Sequence, residues 1–113
     1  MLYEIRNYHY DPDKFEAYAQ WAGKEAIPFL KANMDVVGIW ANNGEPPEIW
    51  GNDVESRKHG PPNLTWVIRW ESMEHRNQGH KDVFGSERWQ EIWSTHPDAN
   101  GYLHCEVTFG EEA

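Results

Sequence analysis

The sequence predicts one α+β domain over residues 1–113, with its elements in the order βαββαβ. The length is that of one ordinary domain. Four short segments are rich in β-branched and aromatic residues, and two longer segments between them carry apolar residues at helical spacing. Elements in this order pack as a four-stranded antiparallel sheet with both helices on one of its faces.

The first strand and the first helix come at the start of the chain. Residues 1–10 contain no helix breaker and are rich in Tyr, which favours a strand. Asp11 is a good N-cap, and Pro12 suits the first helical position. Gly23 and Pro28 are predicted to weaken or kink this helix towards its end. Its apolar residues recur at helical spacing, as Phe15, Tyr18, Ala22, Ala26, Phe29 and Leu30.

The middle of the chain holds two strands and a long connection. We predict strands at residues 35–41 and 64–70, both of them strongly apolar. Residues 45–63 contain four prolines and charges of both signs, which predicts an irregular loop with a short extended piece at residues 48–50. Loops of this length in compact domains are often functional.

The second helix and the last strand complete the pattern. Ser72 suits the N-cap of a helix beginning at Met73, Gly85 interrupts that helix, and Ser86 can cap a second piece. The last strand, residues 102–109, alternates in polarity. One side carries Leu103, Cys105, Val107 and Phe109, and the other carries Tyr102, His104, Glu106 and Thr108.

This alternation predicts how the two faces of the sheet are used. We expect the apolar side of the last strand to meet the helices and the opposite face of the sheet to stay open. The residues predicted on the open face are Glu4, Arg6, Tyr8, Trp40, Tyr102, His104 and Glu106. Because a face this aromatic is not expected to remain in water, we predict a homodimer in which two such faces enclose a small-molecule pocket.

Composition and charge exclude several classes of partner. The chain has 10 Lys and Arg against 19 Asp and Glu, a net charge of −9, and its basic residues are scattered. This disfavours nucleic acid and anionic membranes, whose phosphates require clustered cations. No apolar run is long enough to span a bilayer, and the first residues lack the features of a signal peptide. With Cys105 as the one cysteine, these features predict a cytoplasmic protein.

A series of short motifs resembles NIPSNAP-family proteins. In chain order they are Tyr3-Glu4-Ile5-Arg6-Asn7-Tyr8, Pro12-Asp13-Lys14 with Tyr18, Pro28-x-x-Lys31, Val37-Gly38-Ile39-Trp40, Glu71-Ser72-Met73-Glu74-His75-Arg76 and Trp89. The motifs span nearly the whole chain, and their order and spacing carry the resemblance. Two features depart from the family pattern: the loop at residues 45–63 is longer, and the helix after Ser72 is more polar.

The resemblance implies the ferredoxin-like dimeric α+β barrel superfamily. That superfamily includes heme-degrading monooxygenases, cofactor-free monooxygenases, polyketide cyclases and small lactone isomerases. Its heme-degrading members are similar to this chain at Asn7 and Trp70, but they need a histidine ligand where this chain has Arg88, which cannot ligate iron. His80 lies too early in the helix, and its spacing of five from His75 suits no metal pair. We therefore expect neither heme, nor a metal, nor another cofactor.

Two groups of residues are candidates for chemistry. His104 and Glu106 share one face of a strand and suit proton transfer, unless they are merely solvated or hydrogen-bonded at a dimer seam. Arg6, oriented by Glu4 and joined by Tyr8, suits a clamp for a carboxylate or enolate; the alternative is an ion pair that closes the dimer barrel. The residues predicted to line the pocket beside them are Trp40, Trp50 and Tyr102.

The remaining aromatic residues, the histidines and the cysteine have structural interpretations. Trp66, Trp70, Trp89 and Trp93 are predicted in the core, Cys105 as an inert core thiol, and His9, His59 and His96 at the surface near loops. Together the features predict a small-molecule-binding protein, in one version a cofactor-independent isomerase, cyclase or monooxygenase acting on a small aromatic or carbonyl-containing acid. Two alternatives remain: a non-catalytic binding or protein-interaction module, and a structural dimer with a closed interior.

Overall fold

A computed structural model of the chain describes residues 1–54 and 58–113. Its strands are β1 (Leu2–Tyr10), β2 (Val36–Ala41), β3 (Leu64–Trp70) and β4 (Tyr102–Gly110), and its helices are α1 (Phe15–Trp21), α2 (Ile27–Asn33), α3 (Met73–Phe84) and α4 (Glu87–Trp93). Short 3-10 turns precede α1 and β4. With α1 and α2 as the first helical region and α3 and α4 as the second, the predicted βαββαβ order is confirmed.

The sheet has the strand order β2-β3-β1-β4, and all neighbouring strands are antiparallel. The core lies between this sheet and the helices, where Tyr10, Ile68 and Ile92 are almost fully buried. The four-stranded antiparallel sheet with helices on one face is therefore confirmed. Among the helices that the structure describes, none combines the length and the apolar character needed to cross a bilayer.

Side-chain caps fix where three helical segments begin. Asp11 Oδ1 accepts a hydrogen bond from the backbone N–H of Asp13 at 3.0 Å. Ser72 Oγ accepts from the N–H of His75 at 3.1 Å, and Ser86 Oγ accepts from the N–H of Trp89 at 3.2 Å. Each bond satisfies a donor that the first helical turn leaves unpaired. All three predicted caps are confirmed.

The predicted weak point of the first helix takes the form of a wider turn. Between α1 and α2, residues Ala22–Ala26 form a π-helical turn, in which the N–H of Ile27 donates to Ala22 O, five residues back. Pro28, one residue further on, has no N–H to bond the Lys24 carbonyl and would crowd it in a regular α-helix. The helix absorbs this conflict by inserting one extra residue rather than by ending.

The long loop is fixed at its base and is exposed over residues 45–54. Asn63 bridges to Tyr10, accepting from its N–H at 2.9 Å and donating to its carbonyl at 2.7 Å. Asn42 N–H donates to Asn63 O at 3.0 Å. Residues 48–50 form no strand, and Trp50 is 91 % exposed. Residues 55–57 of the predicted loop lie outside the described residues.

The faces of β1 are opposite to the prediction. Glu4 lies across from Ile68, and Arg6 lies across from Trp66, so these residues share the face that meets the helices. Glu4 is 0 % exposed. The placement of Glu4, Arg6 and Tyr8 on the open face is therefore wrong. The Glu4 carboxylate can face inwards because Arg6 and Arg76 neutralise it. The alternation of residues along one strand does not reveal such partners.

A β-bulge reverses the expected direction of Tyr102. His9 pairs with His104 but Tyr10 pairs with Tyr102, so Leu103 is an extra residue in β4. Tyr102 consequently turns inwards and Leu103 is exposed, and both predictions for these residues are wrong. Beyond the bulge the expected alternation holds. His104 and Glu106 lie on the open face, as does Trp40 of β2, as predicted.

Candidate functional site

A cavity of about 660 Å³ lies between the inner face of the sheet and the helices. This volume is typical of small-molecule sites. Its wall consists of Arg6, Tyr8, Tyr18, Trp21, Ala22, Ala26, Ile27, Leu30, Ile39, Leu64, Trp66, His80, Phe84, Trp89, Gln90, Trp93, Ser94, Tyr102 and Cys105. The wall lies on the helix side of the sheet, so the cavity is not the predicted space between two open sheet faces.

The most strongly bound charge beside this cavity is the Glu4 carboxylate. Arg6 Nη1 donates to Oε2 at 2.6 Å, and Trp70 Nε1 donates to Oε1 at 2.9 Å. Arg76 of α3 donates from Nε to Oε1 at 3.0 Å and from Nη2 to Oε2 at 3.2 Å. Burial raises the pKa of Glu4, but the hydrogen bonds from Arg76 and Arg6 outweigh it and hold that pKa below 4.5. Glu4 is therefore an anion at neutral pH.

Arg6 is held rigidly by Glu4 and by its other neighbours. Its Nε donates to the Tyr8 hydroxyl at 2.9 Å. Its guanidinium carbon lies 5.2 Å from the centre of the Trp66 ring and 5.7 Å from that of Tyr8, which are cation–π distances. The group is thus a preorganised cation in an aromatic wall, as recognition of a carboxylate or enolate requires.

His80 lines the same cavity and was not among the predicted site residues. Its ring packs 4.5 Å from that of Phe84. Burial, followed by the charges of Arg76 and Arg6, lowers the pKa of His80 below 6.5, so the imidazole is neutral at pH 7. The signal that could have identified it is its position four residues after Arg76, because residues at that spacing share a helix face.

Three tyrosines form one end of the cavity wall. The rings of Tyr8 and Tyr102 meet edge to face at 5.8 Å, and those of Tyr18 and Tyr102 do so at 5.4 Å. Burial raises the pKa of Tyr18 and of Tyr102, so both are neutral phenols. Behind them, His96 is partly buried and hydrogen-bonded to the Tyr102 hydroxyl at 2.9 Å, which corrects its predicted surface position.

The predicted catalytic set of His104, Glu106 and Arg6 is not assembled at one place. His104 Nε2 and Glu106 Oε2 are 3.9 Å apart on the outer face, and both side chains are exposed. Arg6 lies on the other side of the sheet. Of the predicted pocket residues, Tyr8 and Tyr102 line the cavity and Glu4 supports Arg6, whereas Trp40 and Trp50 are absent from its wall.

Several residues assigned to the core have different positions in the structure. Trp66 and Trp70 are buried, as predicted, and Trp66 also lines the cavity. Trp89 lines the cavity and packs partly buried against the core, whereas Trp93 lines the cavity and is 40 % exposed, so its predicted core position is wrong. Cys105 is also in that wall and is exposed, so its predicted core position is wrong; burial raises the pKa of its thiol. In residues 1–54 and 58–113 no group of three or more His, Cys, Asp or Glu is arranged to hold a metal ion.

Comparison with known proteins identifies the fold. No family model and no curated protein matches the chain. Among solved structures, an uncharacterised NIPSNAP domain protein from Burkholderia xenovorans matches with a TM-score of 0.74 and 18 % identity, over 100 % of this chain and 95 % of that one. A NIPSNAP family protein of unknown function from Agrobacterium tumefaciens also gives 0.74, at 22 % identity, over 100 % and 88 %.

A more distant structural neighbour shares the same fold. A putative antibiotic biosynthesis monooxygenase from Bacteroides thetaiotaomicron matches with a TM-score of 0.56 and 12 % identity, over 99 % of this chain and 88 % of that one. These identities establish a shared fold and leave activity open. The resemblance seen in the sequence is thus confirmed at the level of structure: the chain has the ferredoxin-like α+β fold of NIPSNAP domain proteins.

Proposed function

We propose that this chain binds a small aromatic or carbonyl-containing acid in the cavity between its sheet and its helices. The observation that carries the proposal is Arg6, a preorganised cation in a wall that is otherwise largely apolar and aromatic. Such a combination suits a ligand with a flat apolar body and one anionic group.

The charge balance of the cluster supports an anionic ligand. Arg6 and Arg76 each carry +1 and Glu4 carries −1, so the three side chains together carry +1. The chain as a whole carries −9. At short range an anionic ligand interacts mainly with this local positive charge and not with the net charge of the chain. Partial burial makes that attraction stronger than it would be at a fully exposed site. Arg6 is the member of the three that lines the cavity, so its charge is the one that an anionic ligand would meet.

Catalysis is a second candidate function, and His80 is the observation that favours it. A neutral imidazole in the same wall as Arg6 can accept a proton from a bound ligand, while Arg6 stabilises the enolate or phenolate that forms. We therefore place the proton acceptor of a cofactor-independent isomerase, cyclase or monooxygenase at His80. The outer-face pair His104–Glu106 would have to serve a different ligand.

A binding experiment with a matched control tests the proposed site. The probe is 2-naphthoate, with binding measured by calorimetry. Arg6→Gln should lower its affinity at least 10-fold, because one charge-assisted hydrogen bond contributes about 1.5–3 kcal/mol. Arg69→Gln removes an arginine from the outer face of the neighbouring strand and should leave the affinity unchanged. Equal affinities for both variants would disprove the site.

Native mass spectrometry of the purified protein separates binding from catalysis. A co-purified aromatic or carbonyl acid would name the chemical class to assay. If His80 transfers a proton, the acidic C–H of that compound should exchange with deuterated solvent in the presence of the protein, and His80→Gln should abolish the exchange. A ligand that is retained without exchange would support the non-catalytic binding module instead.

We also propose that the outer face of the sheet packs against a second copy of the chain. The helices leave this face uncovered, and it presents the exposed indole of Trp40 together with His104 and Glu106. An exposed aromatic on a sheet face is typical of a protein interface. In this arrangement the cavity belongs to each protomer separately, and the interface is on the other side of the sheet.

A further inference from the structure

His96 lies directly behind the cavity wall and takes no part in the site described so far. Its ring packs 4.4 Å from Trp21 and 4.5 Å from Trp93, measured between ring centres. Its two nitrogens have different partners. Nδ1 lies 3.1 Å from the backbone nitrogen of Asp98, and Nε2 lies 2.9 Å from the hydroxyl of Tyr102.

The Asp98 contact determines which nitrogen of His96 carries the proton. A backbone N–H can only donate, so Nδ1 must be the acceptor and cannot itself be protonated. The neutral ring then has its hydrogen on Nε2, and that N–H donates to the Tyr102 hydroxyl. Burial lowers the pKa of His96, which agrees with a neutral ring.

The direction of the hydrogen bond from His96 to Tyr102 determines whether the Tyr102 hydroxyl can donate to a ligand. Its oxygen accepts from His96, so its own O–H is available as a donor on the side where Tyr102 lines the cavity. Tyr18 stands beside it in the same wall, with the two ring centres 5.4 Å apart. The O–H of Tyr8 is free to donate for the same reason as that of Tyr102, because the Tyr8 oxygen accepts from Arg6 Nε.

We infer that His96 is a positioning residue that makes this end of the cavity a hydrogen-bond donor, selecting ligands whose ring-borne oxygen has lost its proton. The ligand class is an aryl carboxylate, a phenolate or an enolate. A neutral alcohol can accept the same hydrogen bond, but a charged oxygen accepts it about twice as strongly, so the donor favours the deprotonated ligand. The inference rests on the proposed binding function and specifies which protonation state of the ligand binds.

Two probes of similar shape test the selection in the intact protein. They are 2-naphthoate and the neutral 2-naphthalenemethanol, with affinities measured by calorimetry. His96→Phe keeps the aromatic packing but removes the Nε2 donor, so we expect the affinity for naphthoate to fall about 5-fold while that for the alcohol, a weaker acceptor, falls less. His96→Gln should restore part of the loss, because its amide nitrogen can donate from nearly the position of Nε2. A purely structural role for His96 would lower both affinities together.

Two further measurements keep the inference falsifiable if His96→Phe folds poorly. The nitrogen-15 shifts of His96 in the unmodified protein should report hydrogen on Nε2, and the opposite tautomer would overturn the inference. Tyr102→Phe should lower naphthoate affinity by a similar factor, and the double variant should lose no more than either single one. Failure of the unmodified protein to bind naphthoate would overturn this inference and the proposed function together. Binding that depends on Arg6 but shows the same ratio of the two affinities in His96→Phe would overturn the inference alone.

Discussion

Two glutamates on opposite faces of the sheet have carboxylates in contrasting environments. On the inner face Glu4 is fully buried and accepts four hydrogen bonds from Arg6, Arg76 and Trp70. On the outer face Glu106 is 59 % exposed and lies 3.9 Å from His104. The inner carboxylate must be paired, because a buried charge without a partner is costly, whereas the outer one is exposed on the single chain and needs no partner. The inner face is therefore where we expect substitutions to have large effects.

The largest effect is expected on stability. Glu4→Gln leaves Arg6 and Arg76 without their counter-charge, so the free energy of unfolding in urea should fall by about 3 kcal/mol. The matched exposed variant, Glu91→Gln on α4, should change it by no more than about 0.5 kcal/mol. Similar losses in the two variants would show that burial does not distinguish the two carboxylates.

Next comes the oligomeric state, which tests the role of the outer face. We expect light scattering at micromolar concentration to give twice the mass of the chain, and Trp40→Asp to reduce it to the single mass. Arg6→Gln, on the inner face, should leave the mass doubled. A monomeric unmodified protein would remove the proposed homodimer while leaving the cavity of each chain intact.

Acid should progressively remove the difference between Glu4 and its Gln variant. The folded state holds the pKa of Glu4 below 4.5, so its contribution to stability is complete above that pH and is lost as the pH falls through the folded pKa. The deficit of Glu4→Gln relative to the unmodified protein should therefore be constant at neutral pH and shrink below pH 4.5. Urea titrations at a series of pH values measure this directly, and a deficit that grows on acidification would contradict it.

The smallest effect is expected at a paired carboxylate that is exposed. Asp35 accepts from Arg69 Nε at 2.8 Å, a shorter distance than three of the four hydrogen bonds made to Glu4. Solvent screens this pair, so Asp35→Asn should shift the unfolding free energy by less than about 0.5 kcal/mol. A loss approaching that of Glu4→Gln would mean that distance, and not burial, decides the strength of such pairs.

Much of the fold was accessible from the sequence because its signals are local. Asp11, Ser72 and Ser86 each cap a segment through bonds to residues two or three positions away. The layered arrangement, with two helical regions on one face of a four-stranded sheet, then follows from the order of the elements. Where a single residue is added, local patterns fail: nothing in the spacing of residues 102–109 reveals the bulge that turns Tyr102 inwards.

The candidate site was harder to predict because it depends on pairings between distant segments. Glu4 can be buried only because Trp70 and Arg76, 66 and 72 residues further along the chain, donate to it. A polar residue on a strand otherwise indicates an exposed face. The sequence pattern makes His80 a poor metal ligand and His96 a surface residue. Their positions at the cavity depend on contacts with distant parts of the chain, which spacing does not reveal. Arg6 and Tyr8 were recognised as functional candidates, although on the wrong face.

The π turn at Ala22–Ala26 has a consequence for how relatives of this chain are aligned and redesigned. A relative without the extra residue would align with a one-residue gap inside a continuous helix. The helix on both sides of that gap would keep its faces, because the wider turn accommodates the extra residue within a single turn. Ile27 and Leu30 would therefore still line the cavity. A single insertion or deletion at this turn can thus leave the cavity wall unchanged.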